Sequence, residues 1–101
     1  MTLESAIAPL TERIAEICRR YHVRELAVFG SAARGDIRPD SDIDLLVEFE
    51  PDARIGLFKF AAMEQELAAL FGRKVDLVTK PGLKPWIRPH VLRDAKILYA
   101  A

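Results

Sequence analysis

The sequence is poor in cysteine, since Cys18 is the only one in the chain. A single thiol excludes an internal disulfide framework and a thiolate metal cluster. No apolar run approaches the ~20 residues of a membrane-spanning helix. The amino terminus, Met1-Thr-Leu-Glu-Ser-Ala, lacks the basic residues and apolar stretch of a signal peptide. These absences predict a cytoplasmic protein that has no membrane partner.

An excess of charge is also missing, because 15 Lys and Arg residues balance 15 Asp and Glu residues. Proteins that bind nucleic acid directly neutralise its phosphates with basic residues. We therefore expect no direct nucleic-acid partner, and any polyanion would need a local binding site. The length of 101 residues predicts a single compact domain spanning residues 1–101.

Apolar residues at helical spacing predict three helices. The first covers residues 9 to 21, with Pro9 in its first turn. A longer helix ends at Gly72, and its apolar residues are Leu57, Phe60, Met63, Leu67, Leu70 and Phe71. The last helix is predicted to run toward Tyr99, and its apolar residues are Ile87, Val91 and Ala95.

Short apolar runs predict strands at residues 25–29, 43–49 and 74–79. A small polar segment, residues 31–41, separates the first two strands and is expected to contain a short helix. Strands therefore alternate with helices along the chain. This order predicts an α/β (α+β) fold, with a small mixed β-sheet of about three strands packed with helices.

Three aspartates stand in or beside predicted strands, although strands disfavour Asp. Asp42 and Asp44 are two residues apart and should project from the same side of a strand, ~7 Å apart at their attachment points. Clustered carboxylates repel one another, and a divalent cation removes the repulsion; their hard oxygen atoms favour Mg²⁺ or Mn²⁺ over zinc. Asp76 is a candidate third ligand. The alternatives are that Asp42 is a turn residue and that Asp76 is an edge-strand residue facing water.

A glycine–serine turn follows the first predicted strand. Gly30 lets the backbone approach a ligand closely, and the amides of Ser31 and Ala32 would form a helix N-terminus suited to phosphate. The Ser31 hydroxyl and the Arg34 guanidinium could contact further phosphate oxygens; alternatively, Ser31 is a helix cap and Arg34 is solvated. Ten residues separate Ser31 from Asp42, and both sites fall at the same end of neighbouring strands. A phosphate cradle beside a carboxylate pair predicts nucleotidyl transfer.

The segment VFGSAARGDIRPDSDIDLLV, residues 28–47, contains the pattern Gly-Ser-x10-Asp-x-Asp. This pattern resembles the signature of the DNA polymerase β-like nucleotidyltransferase superfamily. The surrounding residues are similar to its short prokaryotic branch, the MntA-like minimal nucleotidyltransferases. The resemblance implies the polymerase β-like nucleotidyltransferase fold.

The resemblance also implies roles for individual residues. Asp42 and Asp44 would hold the metal, which is expected to be Mg²⁺; two ions could bind, and Mn²⁺ could substitute. Asp76 would be the third carboxylate and would act as base or metal ligand near the acceptor hydroxyl. The residues implied to bind the nucleotide triphosphate are Gly30, Ser31 and Arg34.

MntA-like proteins are usually encoded beside a HEPN-domain protein, HepT, as a toxin–antitoxin pair in which the antitoxin attaches AMP to its RNase toxin. The resemblance therefore implies Mg²⁺-dependent transfer of AMP from ATP to a HepT-like partner, in a hetero-oligomer. The alternatives are a binding-only antitoxin that occludes the toxin and a transferase for a small molecule such as an aminoglycoside. If a partner docks, we expect it near Trp86 and Arg88, unless Trp86 only covers the edge of the core.

Overall fold

The computed structural model describes residues 3–30, 32–34 and 41–101. Its helices are α1 (Leu3–Ile7), α2 (Thr11–Arg20), α3 (Leu57–Phe71) and α4 (Arg88–Asp94). Its strands are β1 (Val23–Phe29), β2 (Ile43–Phe49), β3 (Val75–Thr79) and β4 (Lys96–Ala100). Short 3-10 turns occupy Ala8–Leu10 and Lys80–Gly82. None of the described helices is both long and apolar enough to cross a membrane.

The strands form one mixed sheet in the order β3-β2-β1-β4. Strand β1 is antiparallel to both β2 and β4, whereas β2 and β3 are parallel. The predicted α/β class and mixed sheet are confirmed, and the sheet has four strands where the sequence indicated about three. The predicted end of the long helix is also confirmed: Gly72 adopts a left-handed φ of 70° and its N–H donates to the Ala68 carbonyl at 2.9 Å.

The fourth strand corrects the prediction of a C-terminal helix running toward Tyr99. Helix α4 ends at Asp94, and Ala95 takes an extended conformation with ψ 139°. The following residues pair with β1, where Ile97 lies opposite Ala27 and Tyr99 lies opposite Leu26. Ile and Tyr favour strands, and pairing satisfies the backbone groups along the second edge of β1.

The core lies between helices α2 and α3 and one face of the sheet. The helices contribute the buried side chains of Ile14, Ile17, Cys18, Met63 and Leu67, and the facing strand residues are Leu26, Val28, Ile43, Leu45, Val47, Val75 and Leu77. Burial raises the pKa of the Cys18 thiol to about 12, in keeping with its place among apolar side chains. Leu57 departs from the predicted apolar stripe, because it is 80% exposed at the first position of α3.

Side chains alternate along strands, so the residues between the core positions project from the opposite face of the sheet, here called the open face. On β2 these residues are Asp44, Leu46 and Glu48, and on β1 the alternation places Glu25, Ala27 and Phe29 there. The sheet therefore separates an apolar face that supports the fold from a face that carries carboxylates.

Glu64 links α3 to the outer edge of β3. Its Oε2 atom accepts a hydrogen bond from the N–H of Leu77 at 2.9 Å in a partly buried setting. Since β3 lies at the edge of the sheet, this bond satisfies a backbone group that no neighbouring strand reaches. It also fixes the strand on which Asp76 lies.

We predict that Glu64→Ala lowers the free energy of unfolding by about 1–2 kcal/mol, because the Leu77 N–H loses its acceptor. Glu64→Gln should lose less, since the amide oxygen can still accept. Gln65→Ala, an exposed change on the same helix, is the control. Urea denaturation of the three variants measures the effect, and equal stability of Glu64→Ala and Gln65→Ala would contradict the assigned role.

Candidate active site

Three carboxylates meet on the open face of the sheet. Asp42 precedes β2, Asp44 is the second residue of β2 and Asp76 is the second residue of β3. The parallel register pairs Asp44 with Asp76, and Asp42 lies two residues before Asp44, so the three residues share one side of the sheet. The structure thus brings together the three carboxylates that the sequence singled out.

The carboxylates differ in their exposure and in their pairing. Asp44 is partly buried, whereas Asp42 and Asp76 are exposed. The pKa of Asp44 is raised, first by burial and then by the negative charges of Asp76 and Asp42. Among the described residues, Lys74 is the only basic residue that forms an ion pair with one of these aspartates. Its Nζ lies 4.0 Å from Asp42 Oδ2. The charged form of Asp44 is therefore less favourable in the folded chain than in a free carboxylate.

The opposite end of the open face carries one lysine between two glutamates. Lys80 Nζ lies 3.4 Å from Glu48 Oε1 and 3.6 Å from Glu25 Oε1. Glu48 is four residues beyond Asp44 on the same strand, ~13 Å away by the strand rise. Lys80 thus offsets part of the negative charge at that end, whereas the aspartates have only the more distant pair of Lys74 with Asp42 among the described residues.

The donor set at this end fits a hard divalent cation. Among the described residues, no three His, Cys, Asp or Glu side chains form a group that could hold a metal ion by themselves. Mg²⁺ sites commonly use only one or two carboxylates and complete their ligands with substrate phosphates and water. Carboxylate oxygens match that preference, and a cation would offset the repulsion that raises the pKa of Asp44.

Gly30 packs directly against Asp44. Phe29, the last residue of β1, pairs with Asp44 across the antiparallel ladder, and the chain then turns at Gly30 with a φ of +72°. A Cβ atom on Gly30 would lie 2.5 Å from Asp44 Oδ2, closer than atoms can approach. The backbone conformation therefore favours glycine, and any side chain here would have to displace the Asp44 carboxylate.

The turn that follows Gly30 is anchored in the core. Ala32 and Ala33 are each only 3% exposed and pack in the core cluster. Ser31 and the segment from 35 to 40 lie outside the described residues, so the predicted phosphate contact of Ser31 and the predicted short helix remain predictions. Residues 32–34 form a turn, and Arg34 is exposed.

The turn faces helix α4, a neighbour that the sequence did not indicate. A cavity of about 230 Å³ separates them and is lined by Gly30 and Arg34 on one side and by His90 and Asp94 on the other. His90 and Asp94 are one helical turn apart in sequence, which is the only local signal that could have singled them out. A separate apolar cavity of about 320 Å³ is lined by the core-facing residues Val28 and Ile43 and therefore does not belong to this site.

We predict that Gly30→Ala destabilises the protein more than Gly72→Ala. Both glycines have φ near +70°, but an added Cβ meets Asp44 at Gly30 and meets nothing within 4 Å at Gly72. The left-handed conformation should cost each variant about 1–2 kcal/mol, and the contact with Asp44 should add to the loss at Gly30. Thermal or urea unfolding of the two variants measures the difference, and equal losses would show that Gly30 does not press on Asp44.

Comparison with known proteins identifies the family. The nucleotidyltransferase domain family matches residues 11–99. The chain is 46% identical over 94 residues to the protein adenylyltransferase MntA of Thermococcus cleftensis, covering 93% of each protein. A solved structure of a candidate minimal nucleotidyltransferase is 42% identical, with a TM-score of 0.77 and 95% of each chain covered.

A more distant likeness shows the same fold in a complex. The crystallographic complex of a tri-AMPylated Shewanella oneidensis HEPN toxin with an MNT antitoxin contains a chain that is 20% identical, with a TM-score of 0.67. The alignment covers 93% of the present chain and 72% of the other one. With its family match, its close relatives and a glycine turn set beside an aspartate cluster, this chain belongs to the nucleotidyltransferase domain family and is a nucleotidyltransferase of the minimal type.

Proposed function

We propose that the chain transfers AMP from ATP to a hydroxyl group of a HEPN-domain toxin and thereby acts as its antitoxin. The observation that carries the proposal is the contact between Gly30 and Asp44, which sets the predicted phosphate-binding turn against the carboxylate cluster. Nucleotidyl transfer needs these two features side by side, because the charge on the phosphates must be balanced where the bond is exchanged.

In this proposal the nucleotide triphosphate is held by Gly30, Ser31 and Arg34. Asp42 and Asp44 would hold the divalent cation, which we take to be Mg²⁺; a second ion could join it and Mn²⁺ could replace it. When bound, the cation neutralises charge on the phosphates and offsets the repulsion between the carboxylates. Ionised Asp44 is prepared for this role, because burial and its neighbours make its charge unfavourable without a counter-ion.

The transfer exchanges one phosphorus–oxygen bond for another. The hydroxyl oxygen of the acceptor attacks the α-phosphorus of ATP, the bond from that phosphorus to the α–β bridging oxygen breaks, and pyrophosphate leaves. The hydroxyl proton passes to Asp76 if that residue is the base, or to solvent if it is a metal ligand. Asp76 is exposed on edge strand β3, which leaves it accessible to an acceptor that arrives from outside.

A protein acceptor is supported by the relatives and by the surface of the chain. The Thermococcus relative is named a protein adenylyltransferase, and the more distant fold match is an antitoxin bound to an AMPylated toxin. Trp86 is 69% exposed, so it does not cover the edge of the core, and Arg88 is exposed as well. Trp and Arg are the residues that most often anchor protein interfaces, and we assign partner docking to this segment.

Two alternatives make different predictions. A binding-only antitoxin would neutralise the toxin by occlusion and leave it unmodified. A small-molecule transferase would modify a compound such as an aminoglycoside and ignore the toxin. The relative named as a protein adenylyltransferase favours an enzyme with a protein acceptor over both.

The test is to incubate the chain with Mg²⁺, labelled ATP and the HEPN-domain protein encoded beside its gene, and to locate AMP by mass spectrometry. We expect AMP on a hydroxyl side chain of the partner, with no transfer when the metal is chelated. Asp42→Asn and Asp44→Asn should each reduce transfer at least about 100-fold, because each removes charge stabilisation in the reacting complex. Their melting temperatures should not fall, since a repelling carboxylate is removed.

Asp52→Asn, a charge-matched change at an exposed position outside the cluster, should retain normal transfer. Near-normal turnover by either Asp42→Asn or Asp44→Asn would contradict the assigned role of that residue. Toxin neutralisation without modification would favour the binding-only alternative, and transfer to an aminoglycoside but not to the partner would favour the small-molecule enzyme.

A further inference from the structure

The side of α3 that points away from the sheet carries no charged residue. Helical periodicity places five exposed residues opposite the buried Met63 and Leu67. They are here called the outer face of α3: Phe58, Ala61, Ala62, Gln65 and Ala69. Phe58 is 91% exposed, and Leu57, which borders the face at the start of the helix, is 80% exposed. The only exposed charged residue of the helix, Lys59, lies beside this face.

Helix α2 provides an internal comparison, because it packs against the same side of the sheet. Its exposed residues include five charged side chains: Glu12, Arg13, Glu16, Arg19 and Arg20. A helix that faces water usually presents charged and polar residues in this way. The outer face of α3 instead has the composition of a helix that is covered on both sides.

The two glutamates of α3 do not supply the missing charge. Glu64 accepts a hydrogen bond from the N–H of Leu77 at 2.9 Å. Glu66 forms an ion pair with Arg20 on α2 at 2.9 Å. Both carboxylates are therefore engaged within the chain and leave the outer face uncharged.

We propose that a second copy of the chain covers this face, with the two α3 helices packed antiparallel across a two-fold axis. The face extends from residue 58 to residue 69, ~16 Å along the helix, and it has a phenylalanine at one end and an alanine at the other. In an antiparallel pair the axis passes between the levels of Ala62 and Gln65. Phe58 of each copy then packs over Ala69 of the other.

The distribution of volume along the face favours this arrangement. Alanine side chains allow two helices to approach to about 8 Å between their axes, and each phenylalanine ring fills the space above the small end of the opposite helix. A parallel pair would set the two rings against each other and hold the alanines apart, with loss of their contacts. A two-fold interface also brings the same residues together from both copies, which an uncharged face permits without repulsion.

The sheet separates this interface from the candidate active site. Helix α3 packs against the core face, whereas Asp44 projects from the open face. A dimer formed through α3 therefore leaves both active sites accessible to nucleotide and acceptor. The inference does not depend on the proposed function.

The test is the mass of the full chain in solution, measured by sedimentation velocity over a series of protein concentrations. We expect the wild type to form a dimer of twice its 11.4 kDa mass that dissociates on dilution. Ala62→Glu places two carboxylates close to the two-fold axis and should weaken dimerisation at least about 100-fold. Ala100→Glu, the same substitution at an exposed position of β4, should leave the dimer intact.

Two further measurements separate a lost interface from a lost fold. Ala62→Lys should also be monomeric, but its equimolar mixture with Ala62→Glu should form a dimer with one chain of each kind, because opposite charges then meet near the axis. Glu and Lys are good helix formers, so the circular dichroism of both variants should match that of the wild type. Phe58→Ala should weaken dimerisation at least about ten-fold, since each ring loses its contact with the other copy.

A wild-type chain that stays monomeric at every concentration, or a dimer that survives Ala62→Glu, would overturn the proposal. It would also be overturned if the wild type is monomeric alone and Ala62→Glu abolishes binding of the HEPN-domain protein, because the face would then belong to that partner. Failure of the wild type to transfer AMP would overturn the proposed function and leave the dimer standing.

Discussion

Repulsion between three carboxylates is the constraint around which the open face of the sheet is arranged. Asp44 lies partly buried beside Asp42 and Asp76, and both burial and these neighbours raise its pKa. A group whose pKa is higher in the folded state than in the unfolded state favours folding while it is protonated. That contribution is lost as the pH rises through the folded-state pKa. The ionised form of Asp44 therefore carries a local cost that a bound cation would offset.

The rest of the fold tolerates this repulsion because the carboxylates lie on the open face of the sheet, whereas the apolar core packs against the other face. The core face is sealed by α2 and α3 around fully buried residues such as Ile14, Leu45 and Met63. The open face needs no apolar cover at the carboxylates, and at its other end Lys80 forms ion pairs with Glu25 and Glu48. Gly30 then brings the turn after β1 against Asp44, where a side chain of any size would displace the carboxylate. The predicted phosphate-binding turn and the carboxylates of β2 are thus adjacent at one end of a small sheet.

Local signals in the sequence predicted the parts of the fold that depend on local structure. Alternation along β2 placed Asp42 and Asp44 on one side, and Gly72 ended α3 because its left-handed φ favours glycine. The fourth strand could not be predicted in this way, because Ile97 pairs with β1 across about 70 residues of sequence. The spacing of Ile87, Val91 and Ala95 instead indicated a helix running toward Tyr99.

The candidate site likewise combines features that local sequence predicts with features that depend on long-range packing. The pairing of Asp44 with Asp76 depends on the register of two parallel strands, which no local pattern specifies. The approach of His90 and Asp94 to the Gly30 turn depends on how α4 packs across β1, and neither residue belongs to a motif. What the sequence did supply was the chemistry of the site, because strands disfavour Asp and three aspartates nevertheless stand in or beside the predicted strands.

The pKa of the Asp44 carboxyl group, followed by carbon-detected NMR with and without Mg²⁺ and ATP, tests most directly whether the carboxylate cluster is built for a cation. We predict a pKa above the ordinary Asp range in the free protein and a downward shift when Mg²⁺ and nucleotide are added together. Asp76→Asn should lower the pKa of Asp44 in the free protein, because one of the two neighbouring charges is removed. An ordinary pKa that responds neither to Mg²⁺ with nucleotide nor to this substitution would contradict the view that the open face is a cation-dependent nucleotide site.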